Sequence, residues 1–94
     1  MPVLAPLGTA ARLVRVELPV RDVRVATLRL LRQLGLQFRP SLAGHGARDA
    51  AVGAHTLRVS ARAQRPRITL RAGTERRDAD LFGCDWELLP VQSG

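Results

Sequence analysis

The sequence predicts a small α+β domain of the ferredoxin-like class, in the order βαββαβ, with a four-stranded antiparallel sheet carrying its helices on one face. Two observations predict it. Four segments alternate apolar and polar residues with a period of two, and one helical-period segment lies between the first two of them. At 94 residues the chain is a single domain, because a unit this size buries one core and not two. Apolar residues at 46% and charged residues at 24% exclude disordered and collagen-like classes. The aromatics are Phe38, Phe82 and Trp86 alone, so the core is expected to be aliphatic.

Residues 1–10 read as an N-terminal tail. Arg12–Leu18 then places Val14, Val16 and Leu18 on one face and Arg15 and Glu17 on the other, a strand that Pro19 ends by removing a ladder donor. Asp22 stands where a helix N-cap is wanted. Over 22–34, Val23, Ala26, Thr27, Leu30, Leu31 and Leu34 share one arc, and Gly35 followed by Leu36 reads as a left-handed stop. Residues 40–54 hold three glycines and no sustained period, a flexible loop with room for a short Ala-rich helical turn near 47–52. Thr56–Arg62 and Arg67–Ala72 read as a strand pair turning at Ala63-Gln64-Arg65-Pro66. Thr74 starts a short helix through Phe82, Gly83 stops it, Cys84–Leu89 is the last strand, and 91–94 is a tail. The alternative topology is a mixed βα meander in which 74–82 is only a turn.

In this arrangement Val14, Val16, Leu57, Val59, Ile68, Leu70 and Trp86 pack against Val23, Leu30, Leu31 and Leu34.

The formal net charge is +7, and all 15 basic residues are arginine. Lysine, asparagine and tyrosine are absent and isoleucine occurs once, the depletion expected of a GC-rich genome, so arginine in place of lysine carries little functional information. The excess itself is uneven. Residues 1–74 hold 13 Arg against Glu17, Asp22 and Asp49, a net of +10, and residues 75–94 hold Arg76 and Arg77 against five acids, a net of −3. No apolar stretch approaches the ~20 residues of a membrane span. Cys84 is alone, which fits a reducing, cytoplasmic setting.

If the two middle strands pair as a hairpin, Arg58, Arg62, Arg67 and Arg71 share its outward face and repel unless acids or anions intervene. The functional reading is a site for an anionic partner, an acidic protein or a nucleic-acid backbone, although no aromatic accompanies them for base stacking. Two other readings stay open. Glu17, Asp85 and Glu87 neutralise that face internally, or it meets the acidic C-terminal segment of a second copy in a homodimer. On the helix, Arg21, Arg24, Arg29 and Arg32 gather opposite the core arc with Val25 and Leu28 among them, a second candidate binding face.

His45, Asp49 and His55 are too few, and on too mobile a loop, to imply a metal site. Gly44-x-Gly46 falls far short of a phosphate loop. Cys84 beside Asp85 lacks the basic neighbour that activates a thiolate. No cofactor is implied and no catalytic residue stands out, so the expected class is a non-enzymatic binding domain.

One family comparison applies. Val14-Arg15-Val16-Glu17-Leu18-Pro19, running into a helix that ends Leu30-Leu31-Arg32-Gln33-Leu34-Gly35-Leu36, resembles the opening half of small amino-acid-binding regulatory domains of the ACT type over about 25 residues. The resemblance implies a ferredoxin-like fold and a dimeric, small-molecule-binding regulatory role. Those domains place a glycine in the turn entering the first helix, where this chain has Val23 or Arg24, so no ligand residues carry over.

Overall fold

A computed structural model describes residues 11–91. The tail assigned to 1–10, and all but Val91 of the tail assigned to 91–94, lie outside the described residues.

β1 (Arg12–Pro19) forms over the alternating segment and closes at its proline. α1 (Val23–Leu34) follows. Asp22 is its N-cap, with Oδ1 accepting from the Val25 N–H at 3.2 Å, and Gly35 ends it at φ 70°. The Gly35 and Leu36 N–H groups donate to the Leu31 and Leu30 carbonyls, as a left-handed helix stop requires.

Beyond α1 the ferredoxin-like expectation is overturned. The chain continues as β2 (Arg39–Pro40), β3 (Arg48–Val52), β4 (His55–Ser60), β5 (Arg67–Arg71), β6 (Arg77–Leu81) and β7 (Cys84–Leu89). With β1 these form one seven-stranded mixed sheet in the order β2-β3-β4-β1-β5-β7-β6, and α1 is the single helix among the described residues. β1/β4 and β5/β7 run parallel and the other pairs antiparallel.

Three local differences produce this. The segment assigned to a second helix is the hairpin arm β6, because Phe82 (φ 58°) and Gly83 (φ 72°) are both left-handed and form a two-residue turn. Arg77-Asp78-Ala79-Asp80-Leu81 alternates with a period of two that a helix cannot use. Second, residues 48–52, inside the stretch read as a loop with an Ala-rich helical turn, pair with β4 through a turn led by Gly53 at φ 61°. Third, β4 and β5 do not pair with each other. β1 lies between them, so residues 61–66 bridge the end of β1 instead of closing a hairpin.

Directly opposed residues share a sheet face. One face is apolar, with Val16, Leu18, Leu57, Val59, Ile68, Leu70, Trp86 and Leu88 in register. α1 packs on this face over β4. Val59 is buried completely, but no residue of α1 is, and Leu31 and Leu34, expected in the core, are exposed. The fully enclosed core is therefore small: Ala47, Ala50, Val59 and Ala72 among the apolar residues. Val59→Ala is expected to lower unfolding free energy by roughly 2 kcal/mol, read as a reduced midpoint in urea. Leu34→Ala is expected to change it by less than about 0.5 kcal/mol.

Candidate functional site

The opposite face of the sheet is polar, and its charges are ordered by strand register. Reading across one row, Arg39 opposes Asp49, Asp49 opposes Arg58, Arg58 opposes Glu17, Glu17 opposes Arg67, and Arg67 opposes Asp85. Sign alternates at each of these steps, which is the favourable arrangement for cross-strand pairs. The position of β1 creates it, since Glu17 stands between two arginines that a hairpin would have set side by side.

The strongest contact in the row is Arg58 with Asp49. Nε donates to Oδ1 at 2.8 Å and Nη2 to Oδ2 at 3.1 Å, with side chains only 14% and 17% exposed. This fork holds the Asp49 carboxyl below its ordinary value against an opposing desolvation effect, and raises the Arg58 guanidinium further.

At β6 and β7 the alternation fails: Asp78 opposes Glu87 and Asp80 opposes Asp85. Arginines from outside the hairpin compensate. Arg76 Nη2 donates to Glu87 Oε2 at 2.9 Å, and Arg15 Nη2 lies 3.9 Å from Glu87 Oε1. Arg65, in the connector 61–66, forks onto Asp80 and brings Nε to 3.3 Å from Asp85 Oδ1, a pairing of charges without hydrogen-bond alignment. Thr69, completely buried at the centre of the face, donates its hydroxyl to Glu87 Oε1 at 3.3 Å.

The arginines proposed from sequence for an anionic partner therefore occupy different settings. Arg58 is paired with Asp49, and Arg71 donates to the Pro90 carbonyl at 2.9 Å. Arg62, in the bend after β4, and Arg67, at the start of β5, are exposed with no carboxylate within 4 Å among the described residues. Asp49, Arg65 and Arg76, which sequence reasoning did not single out as neutralising partners, carry much of the compensation. Alternation alone did not reveal them, because two act from connectors.

The second predicted set lies on the other side of the molecule. Arg21, Arg24, Arg29 and Arg32, with Val25 and Leu28, are all exposed on or just before α1. None of the four arginines is within 4 Å of a carboxylate among the described residues. Between α1, the end of β1 and β4 runs an open groove of about 480 Å³, walled by Leu18, Val20, Val25, Leu30 and Val59 and rimmed by Arg21, Asp22 and Arg29.

Among the described residues no three His, Cys, Asp or Glu side chains come together as metal ligands would. Asp49 is engaged by Arg58, and His55 Nδ1 lies 2.8 Å from the Leu13 carbonyl, which makes Nδ1 the protonated ring nitrogen. Cys84 is half-buried with Sγ 3.6 Å from the Phe82 carbonyl. No helix among the described residues is long and apolar enough to cross a membrane.

The chain matches no protein-family model and no curated protein. Its fold is similar to the crystal structure of a hypothetical protein from Bacillus halodurans, with a TM-score of 0.55 and 10% sequence identity over 92% of this chain and 98% of that one. That likeness is one of architecture.

The Asp49–Arg58 fork makes stability depend on acid. A carboxyl whose folded pKa is depressed contributes stability that is fully present above its unfolded value, 3.8, and is lost as pH falls through the folded one. Asp49→Asn is expected to cost about 2 kcal/mol at neutral pH. The gap to the parent protein should close below pH 3.8 in urea titrations run at a series of pH values.

Proposed function

We propose that the chain is a non-enzymatic binding domain, acting in the cytoplasm as a homodimer, that docks an acidic partner, protein or nucleic acid, through its uncompensated arginines. One observation carries this reading: Arg21, Arg24, Arg29 and Arg32 stand exposed on one helical surface without an ion-pair partner among the described residues, while the arginines of the sheet face alternate with acids. A surface of one sign raises local anion concentration and association rate. The fork of donors on each guanidinium suits carboxylate and phosphate alike. Val25 and Leu28 among the arginines add an apolar contact to what is otherwise a charged face.

Arg62 and Arg67 belong to a lesser, opposite-facing set. Arg58 and Arg71 are engaged within the chain, so the helix is the stronger candidate of the two predicted surfaces. The ACT-type resemblance implied a ferredoxin-like fold, which the seven-stranded sheet overturns, so it no longer supports the small-molecule regulatory alternative.

Titration of labelled single- and double-stranded DNA and RNA, and of polyglutamate, at two salt concentrations tests the proposal. Phosphate contacts by two to four of these arginines predict a log–log salt slope of about −2 to −4 on duplex DNA, with little sequence preference. Arg24→Glu combined with Arg32→Glu should abolish that binding, while Arg67→Glu should weaken it less. Absence of binding to every polyanion at low salt would sink the reading.

A further inference from the structure

We infer that the β6–β7 hairpin tip of one copy docks into the α1 groove of a second copy, so that the chain pairs with itself through a built knob and socket. The inference rests on the reading of the domain as self-associating and names the surfaces that do it.

The knob is Asp80-Leu81-Phe82-Gly83-Cys84-Asp85. Phe82 is 92% exposed and sits at φ 58°, a left-handed position that two-residue hairpin turns give to Asn, Asp or Gly. A bulky aromatic there is strained, and an exposed ring gains nothing from its own copy. Leu81 beside it is 53% exposed. Acids flank the pair: Asp80 before it and Asp85 after it, both held by Arg65 of the same copy, and Asp78 further along β6 without a cation within 4 Å among the described residues.

The socket has the complementary order. Val20, Val25 and Leu30 form an apolar floor above the buried Val59, of a size to accept an aromatic side chain, and Arg21 and Arg29 stand at the rim with Asp22, whose carboxylate caps α1. An apolar tip whose unpaired charge is the Asp78 carboxylate thus meets an apolar floor whose unpaired charges are the Arg21 and Arg29 guanidiniums.

A copy cannot fill its own socket. β5 and β7 stand between β1 and β6 in the paired sheet, which holds tip and groove roughly 14 Å apart at ~4.8 Å per strand. Both features lie at the same end of the sheet, since Glu17 near the end of β1 aligns through Arg67 with Asp85 at the start of β7. A two-fold axis past that end lets each tip enter the other copy's groove, which closes the pair and leaves no open contact for a filament. Docking engages Arg21 and Arg29 and leaves Arg24 and Arg32 for another anion.

Sedimentation equilibrium on the full chain and three variants tests this. Phe82→Asn removes the knob while giving the turn the Asn-Gly pair it favours, so the variant should melt no lower than the parent protein in dilute solution. It should self-associate about 30-fold more weakly, the loss of an interface hot spot. Val25→Glu blocks the socket at an exposed helix position and should have the same effect. Mixing these two variants should restore association through the one intact tip and the one intact groove, and raised salt should weaken the parent pair. Val52→Asn, at an exposed residue beside the β3–β4 turn at the opposite end of the sheet, should leave association unchanged. A parent chain that stays monomeric overturns the self-association reading and this inference together. A parent dimer that survives both Phe82→Asn and Val25→Glu, or a mixture that fails to restore association, overturns this inference alone.

Discussion

The structure turns on β1 being the central strand, parallel to β4 on one side and antiparallel to β5 on the other. Its two faces are of opposite character, so its position sets both layers of the molecule. Val16 and Leu18 align Leu57, Val59 and Ile68 into the apolar face on which α1 rests, and Glu17 inserts a negative charge between Arg58 and Arg67 on the other. Removed from that position, the sheet would oppose arginine to arginine across neighbouring strands, which costs stability. The same placement puts residues 61–66 across the end of β1, from where Arg65 reaches Asp80 and Asp85.

The result is a division of charge between the two sides of the molecule. The polar sheet face brings arginines and acids together, and its interior members are tied in as well, Thr69 by a hydrogen bond to Glu87 and Glu87 by Arg76. Partly buried, forked pairs such as Arg58 with Asp49 are worth more than exposed ones but are unavailable to an outside ligand. The helix face has no such compensation among the described residues, because Asp22 is the one acid of its region and its carboxylate is used as the cap. Arg21, Arg24, Arg29 and Arg32 are therefore left without an ion-pair partner among the described residues.

α1 itself is thinly anchored. It packs on β4 with no fully buried residue, leaving Leu31 and Leu34 of its inner arc exposed. Domains of this size bury a modest fraction of their surface, and apolar area left open is a reason to associate. The hairpin tip points the same way from the other side of the sheet, with an aromatic residue in a conformation that most proteins give to a small or polar one.

The sequence by itself determined the local elements whose causes are local. The alternation of β1, the Asp22 cap, the left-handed stop at Gly35 and the span of β7 all follow from residues within a few positions of where they act. β6 was present in the same form, since Ala79 and Leu81 alternate with Asp78 and Asp80 and a glycine follows Phe82. A threonine at 74 placed to cap a helix competed with that pattern, and pairing with β7 decided it. β3 is weaker still, a short Ala-rich stretch with little preference until β4 supplies its ladder. What only the tertiary structure decided is strand order. Alternation tells which residues share a face and is silent about which strand lies alongside, because a hairpin and a split pair with β1 inserted satisfy the same period of two. Whether Arg58 meets Arg67 or Glu17 was thus a question of neighbours, and the burial of apolar area around β1 answered it.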